Sequence, residues 1–267
     1  AERLLGLKFT DSDVGTLLSR MGLGFENGCA LVPSYRIDML HPMDVIEDIA
    51  IAYGYENFES EMSDFAAVGL ESPKVIFLKK VSDLLVGFGF LECMSFHISN
   101  RNTLVDKMNH QGHKGIVATT NAVNIDYDAM RNRILPGLMK ILSENTHNEY
   151  PQNIFEAGTV IVKDKSFETN VLETVSLAFV SAGLASDFSQ IKAVVEAFAL
   201  NLDVGLKFEE HEDPSFISGR CAKLVLGRKQ VGVVGEIHPE VLVNWGLEIP
   251  VAACEIELSK IMDAVLK

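Results

Sequence analysis

The stretch CAKLVLGRKQVGVVGEI, residues 221–237, sets the tightest limit on how this chain can fold. Two apolar-rich runs flank a Gly-Arg-Lys tip, which reads as two antiparallel strands turning at 227–229. A lone hairpin is marginal in water, so further strands and a covering layer must accompany it. The rest of the chain supplies both. NIFEAGTVIV reads as a strand over 154–162 after a turn at Tyr150 and Pro151, and TVSLAFVSAG, LKFEEHED and VAACEIEL read as three more. PKVIFLKKVSDLLVGFGF, the segment after Pro136, SDFSQIKAVVEAFALNL and HPEVLVNWGL carry helical spacing. LECMSFHIS reads as an alternating strand, and RNTLVDKMNHQGHKGI as polar and irregular. Hairpin-linked strands with long helices laid over them predict an α+β fold, an antiparallel sheet with helices on one face.

Residues 1–58 read as a separate small α+β module. LKFT is a short strand, and DSDVGTLLSRMGL a helix capped by Thr10 or Ser12 and stopped by Gly22 or Gly24. CALVPSYRID is a strand, kept extended at Val32 by the proline that follows. A helix then starts at His41 and Pro42, because proline suits the first helical turn, and ends near Gly54. A module of this size is small for a free-standing core. ESEMSDFAAVGLES, residues 59–72, has no period and reads as a linker. Residues 73–267 then form the larger core.

The net charge is −14, and it is uneven. Residues 1–72 carry four Lys or Arg against thirteen Asp or Glu, a net of −9. A protein that holds nucleic acid through its general field is basic, so any such contact here is local or supplied by another chain. No apolar run approaches a membrane span, and the start AERLLGLKF lacks the core of a signal peptide. Cys29, Cys93, Cys221 and Cys254 have no CxxC spacing and read as reduced core thiols. The expected location is the cytoplasm.

Catalytic motifs are missing: there is no GxxxxGK[ST], no HExxH and no GxSxG. His110 and His113 read as solvated loop residues, and His238-Pro239 as a helix N-terminus. Arg131 and Arg133 read either as an anion clamp or as salt-bridge partners of the abundant acids. Asp38, Asp44, Glu47 and Asp48 stand out, four carboxylates within eleven positions. The last three share one helix face at i, i+3 and i+4 and repel one another. One reading is a solvated acidic face, with Asp44 on the helix dipole and Arg36 neutralising a neighbour. The other is a hard divalent cation, since all-oxygen donors select Mg²⁺ or Ca²⁺ over zinc.

VPSYRIDMLHPMDVIEDIAIAYGYENF, RNRILPGLMKILSENTHN…NIFEAGTVI and GVVGEIHPEVLVNWGLEIPVAACEIEL together resemble the phenylalanine–tRNA synthetase beta subunit family in its archaeal and eukaryotic form. The matches run in order over nearly the whole chain, which resembles the C-terminal portion of such a subunit. The resemblance implies a winged-helix-like, metal-binding module over 1–58, then a class II synthetase-like core, an antiparallel sheet flanked by helices. It carries Mg²⁺ onto Asp38, Asp44, Glu47 and Asp48, and no catalytic residue.

It further implies a catalytically silent core. A working class II site clamps the ATP α-phosphate with an arginine on a central strand; the matching strand here reads QNIFE. A second arginine is expected in a strand-to-helix motif near the end, where this chain has VGVVGEIHPEV. The implied role is within a phenylalanine–tRNA ligase that charges tRNA(Phe). An alpha subunit would hold the active site in an alpha2-beta2 tetramer, with helix 73–90 at the subunit interface. The isolated chain could self-associate through the same surface. The alternative is a stand-alone regulatory or nucleic-acid-binding protein built from a winged helix and a degenerate synthetase core.

Overall fold

A computed structural model describes residues 1–62, 64, 68–112, 115–122 and 124–266. Two units form, Ala1–Gly69 and Leu70–Lys267.

The first unit is built from helices α1 (Glu2–Leu5) and α2 (Asp11–Arg20), strands β1 (Gly24–Glu26) and β2 (Cys29–Leu31), and helix α3 (Pro42–Tyr53). Thr10 starts α2 through a reciprocal cap: its Oγ1 accepts from Asp13 N at 3.2 Å, while Asp13 Oδ2 accepts from Thr10 N at 2.8 Å. Asn27 and Gly28, both at positive φ, close the β1–β2 hairpin. Leu17, Leu18, Leu23 and Ile49 are buried, with Phe9, Phe25, Val45 and Tyr53 around them. This helix-and-hairpin arrangement is winged-helix-like. Two expected strands change. Residues 7–10 form no strand, and the strand expected over 29–38 stops at Leu31. Pro33 has no N–H to donate to a ladder, and its carbonyl instead accepts from Arg36 N at 3.0 Å. Asp38 therefore sits in a turn rather than at a strand end.

The second unit opens with α4 (Pro73–Gly87), capped by Ser72, and continues through β3 (Leu91–Glu92), β4 (Ile98–Ser99), α5 (Arg101–Leu104), β5 (Ala129–Met130) and α6 (Leu135–Glu144). Then come β6 (Gln152–Lys163), β7 (Val171–Ala182), α7 (Phe188–Asn201), β8 (Leu206–Glu210), β9 (Phe216–Leu226) and β10 (Lys229–Ile237). The last elements are α8 (Pro239–Trp245), β11 (Val251–Glu257) and α9 (Leu258–Val265). Seven strands make one sheet in the order β3-β6-β7-β11-β10-β9-β8, antiparallel except where β3 runs parallel to β6. The β9–β10 hairpin is present as the sequence predicts.

Helices cover both faces of the sheet, not one. Alternation explains why. Along β6 and β7, Phe155, Val175, Leu177 and Phe179 face α4, α7 and α9 through Phe77, Val81, Leu85, Ile191, Val195, Phe198 and Ile261. Ile154, Val160, Ala178 and Val180 point the other way, against Leu135, Leu138, Met139 and Leu142 of α6 and Val241 and Trp245 of α8. Among the described residues, no helix is long and apolar enough to cross a membrane.

Candidate functional site

Two places bear on chemistry: the acid-rich end of α3, and the sheet face on the α6 side.

At α3 the carboxylates have distinct environments. Asp44 belongs to the helix cap; its Oδ2 accepts from Leu40 N at 2.8 Å and His41 N at 2.7 Å, while His41 Nδ1 accepts from Met43 N at 3.2 Å. Asp44 sits at the positive end of the helix dipole, where a carboxylate is stabilised. Glu47 is exposed. Asp48 is buried, with 6% of its surface exposed. Arg36 brings Asp38 and Asp48 together. Its Nε lies 3.0 Å and its Nη2 2.8 Å from Asp38, and Nη2 also lies 3.0 Å from Asp48 Oδ2. The Asp38 carboxyl consequently stays below its ordinary range, held first by the hydrogen bonds from Arg36. Arg36 itself is pushed upward, with the hydrogen bond to Asp38 the largest cause. Sequence reasoning gave Arg36 one acidic neighbour; it takes two. Among the described residues, no group of three or more His, Cys, Asp or Glu side chains converges as a metal would require. The donors nonetheless suit a hard cation. All four are carboxylates, and Asp48 Oδ2 is a buried oxygen that accepts no hydrogen bond.

On the sheet face, β6, β7, β10 and β11 floor a cavity of about 420 Å³ lined by Val160, Thr174, Ser176, Gly232, Glu255 and Lys260, with Arg133 at its edge. Both cations are already neutralised. Arg133 Nε donates to Glu255 Oε2 at 2.9 Å, and Lys260 Nζ lies 2.6 Å from Glu257 Oε2. Neither β6 nor β7 contains an arginine, and neither of the late strand-to-helix passages, β10 to α8 and β11 to α9, contains one. Glu255 has a second task. Its Oε1 accepts from Ile134 N and Leu135 N at the start of α6, a helix with no side-chain cap of its own.

A second buried pair stands beside it. Arg131 and Glu156 are each 3% exposed and form an ion pair. Ser95 donates to Glu156 Oε2 through its N at 3.1 Å and its Oγ at 2.6 Å, and Arg131 Nε donates to Thr159 O at 2.9 Å. Gly158 is required there, since a Cβ would come within 2.5 Å of Arg131 Nη2. Arg131 and Arg133 are thus salt-bridge partners, not an anion clamp.

His110 is also no solvated residue. Its Nε2 accepts from Arg133 Nη1 at 2.6 Å and lies 3.0 Å from Ser215 Oγ and 3.5 Å from Asp213 Oδ1. His113 lies outside the described residues. His238 caps α8, its Nδ1 accepting from Glu240 N at 3.2 Å. All four cysteines are free; Cys221 and Cys254 are core thiols, while Cys29 is exposed on its short hairpin. Burial pushes the Cys221 thiol up to about 12. The networks of Glu156 and Glu255 were missed in the sequence. The available signal was a lone acid inside each otherwise apolar strand.

Comparison with known proteins places this geometry. The family profile described as phenylalanyl tRNA synthetase beta chain CLM domain matches residues 59–258, and that of the tRNA synthetase B5 domain matches residues 1–55. The chain is similar to the phenylalanine–tRNA ligase beta subunit of Pyrococcus abyssi, with 42% identity over 96% of this chain and 47% of that protein. It is similar also to that of Thermococcus sibiricus, with 41% identity over 96% of this chain and 46% of that one. It thus spans about half the length of these relatives. A solved pyrrolysyl tRNA synthetase from Desulfitobacterium hafniense shares the fold, with a TM-score of 0.60 and 15% identity over 72% of this chain and 68% of that one.

Proposed function

Because the chain belongs to the phenylalanyl-tRNA synthetase beta chain family, we propose that it serves as part of a phenylalanine–tRNA ligase without supplying the active site. In this reading an alpha subunit holds ATP, phenylalanine and the acceptor end of tRNA(Phe). This chain contributes the subunit interface and part of the frame that supports the tRNA.

One observation carries the silent core. The sheet-face cavity presents Arg133 and Lys260 only as partners of Glu255 and Glu257. A triphosphate entering there would meet the two carboxylates before any free cation, and phosphate recognition needs unspent guanidinium or ammonium groups. Purified without an alpha chain, the protein should not exchange pyrophosphate into ATP in the presence of phenylalanine; exchange should appear on adding one. Robust exchange by this chain alone would overturn the reading. Nothing observed favours the regulatory alternative, and the −9 charge over residues 1–72 opposes nucleic-acid binding by that module.

The same reading assigns Mg²⁺ to Asp38, Asp44, Glu47 and Asp48, supported by the all-carboxylate donor set and the unsatisfied Asp48 oxygen. Bound there, the ion would neutralise acids that otherwise repel. A higher melting temperature in Mg²⁺ than in chelator checks it.

A further inference from the structure

We propose that Arg36 is a built-in counter-cation for Asp38 and Asp48, and that a hard divalent cation binds this module only by displacing it. The proposal rests on the Mg²⁺ reading and deepens it.

Burial makes a counter-charge necessary. Asp48 is 6% exposed, and a carboxylate taken out of water is costly unless a cation or several donors face it. Arg36 Nη2 meets its Oδ2 at 3.0 Å. That contact is close but poorly aligned, because the same oxygen accepts no hydrogen bond. The guanidinium fork is instead aligned on Asp38, with Nε and Nη2 on its two oxygens, while Nη1 reaches Met21 O at 3.4 Å. Asp48 is thus neutralised without being directionally satisfied, and one of its acceptor sites stays open for a better ligand.

The surrounding groups favour exchange over rigid occupation. Asp38 is exposed and lies in the turn after Pro33, so it can follow either cation. Asp44 is fixed by the cap through Oδ2 only, which leaves Oδ1 free of the hydrogen bonds described. Glu47 is exposed one residue before Asp48. A divalent ion that engages Asp38 and Asp48 must occupy the place where Nη2 now lies, so the two cations exclude each other. Two consequences follow. The module keeps its fold without metal, because Arg36 supplies the charge. Metal affinity is lower than the four carboxylates alone would give, because Arg36 must first be released.

The test uses the full chain and Mg²⁺ alone. Melting curves are recorded across a MgCl₂ titration and in chelator for the wild type, Arg36→Gln and Glu47→Gln. Arg36→Gln should melt lower than the wild type in chelator and gain more from Mg²⁺. Its apparent affinity should be tighter by about tenfold, the effect of removing roughly 1.4 kcal/mol of competition. Glu47→Gln should respond less than the wild type. In the wild type itself, the NMR signal of the Arg36 Nε–H should shift as Mg²⁺ is added, which decides the matter even if Arg36→Gln does not fold. An equal Mg²⁺ response in wild type and Arg36→Gln would overturn the competition and leave the metal site standing. A response lost in Arg36→Gln would also overturn it, since Arg36 would then organise the site. No response in any variant, with an unmoved Arg36 signal, would remove the metal reading along with the proposal.

Discussion

At the residue scale, the chemistry of this chain lies in how its buried charges are matched. Arg131 and Glu156 are both withdrawn from water, so neither tolerates loss of the other. Replacing Arg131 with Met should destabilise the second unit by about 3–5 kcal/mol in urea unfolding, because Glu156 is left as an uncompensated buried charge. Adding Glu156→Gln to that variant should restore part of the loss. His110 gives a pH signature. Burial first, and the Arg133 charge second, hold its pKa below the ordinary 6.5, against the opposing pull of Asp213 and Glu255. The folded state therefore prefers the neutral ring. The stability tied to it is complete above about pH 6.5 and is lost as the pH falls, because the unfolded chain takes up the proton first. Urea midpoints should decline on acidification through that range, and His110→Gln should flatten the decline. A wild-type slope matched by the variant would mean that other groups govern it.

At the element scale, α6 shows how a helix can depend on a distant strand. Ile134 offers no cap, so Glu255 of β11 takes two of the orphan N–H groups and the positive end of the helix dipole, while its other oxygen holds Arg133. Glu255→Gln should cost about 2–3 kcal/mol, since a charge-assisted cap is lost and Arg133 is left without its partner. Weakened hydrogen-exchange protection concentrated in 134–138 would confirm that the loss begins at this helix end. No local pattern carries such a link, because its halves lie about 120 residues apart. The same reasoning marks what was legible in the sequence. Strands with apolar alternation and helices with caps stood out: β6, β7, β9, β10, α3 and α4 fall where their residues predict. LECMSFHIS did not form one strand, because Cys93 N turns to Phe155 O and the His97 carbonyl to Arg131 N, so only the ends pair. Helix α9 was missed because it follows β11 directly, with no proline, glycine or polar cap between them. The acid cluster was visible as a set. The reach of Arg36 across two of its members was not, since it depends on the turn that Pro33 creates.

At the scale of the whole molecule, the unresolved demand is apolar surface. On α4, Phe77, Val81 and Leu85 satisfy the sheet, yet Val75, Ile76 and Val86 are left exposed. The segment that follows exposes Leu91, Met94 and Phe96, the last two at 93% and 77%. Scattered apolar side chains are ordinary on a surface, but a helix face continuing into such a segment is what a subunit interface leaves uncovered. The charge pattern points the same way: most of the acidic excess lies in residues 1–72, so the 73–96 surface is apolar without strong like-charge repulsion. Substituting Ile76 and Phe96 with Asp should therefore leave the melting temperature nearly unchanged, since exposed positions away from special features shift stability by only about 0.5 kcal/mol. Association with an added alpha chain, or self-association in its absence, should weaken by at least about tenfold, as read by light scattering and co-purification. Unchanged association in a variant that still folds would move the interface elsewhere on the molecule. Reduced association together with a lowered melting temperature would instead mean that Ile76 and Phe96 contribute to the core of their own unit.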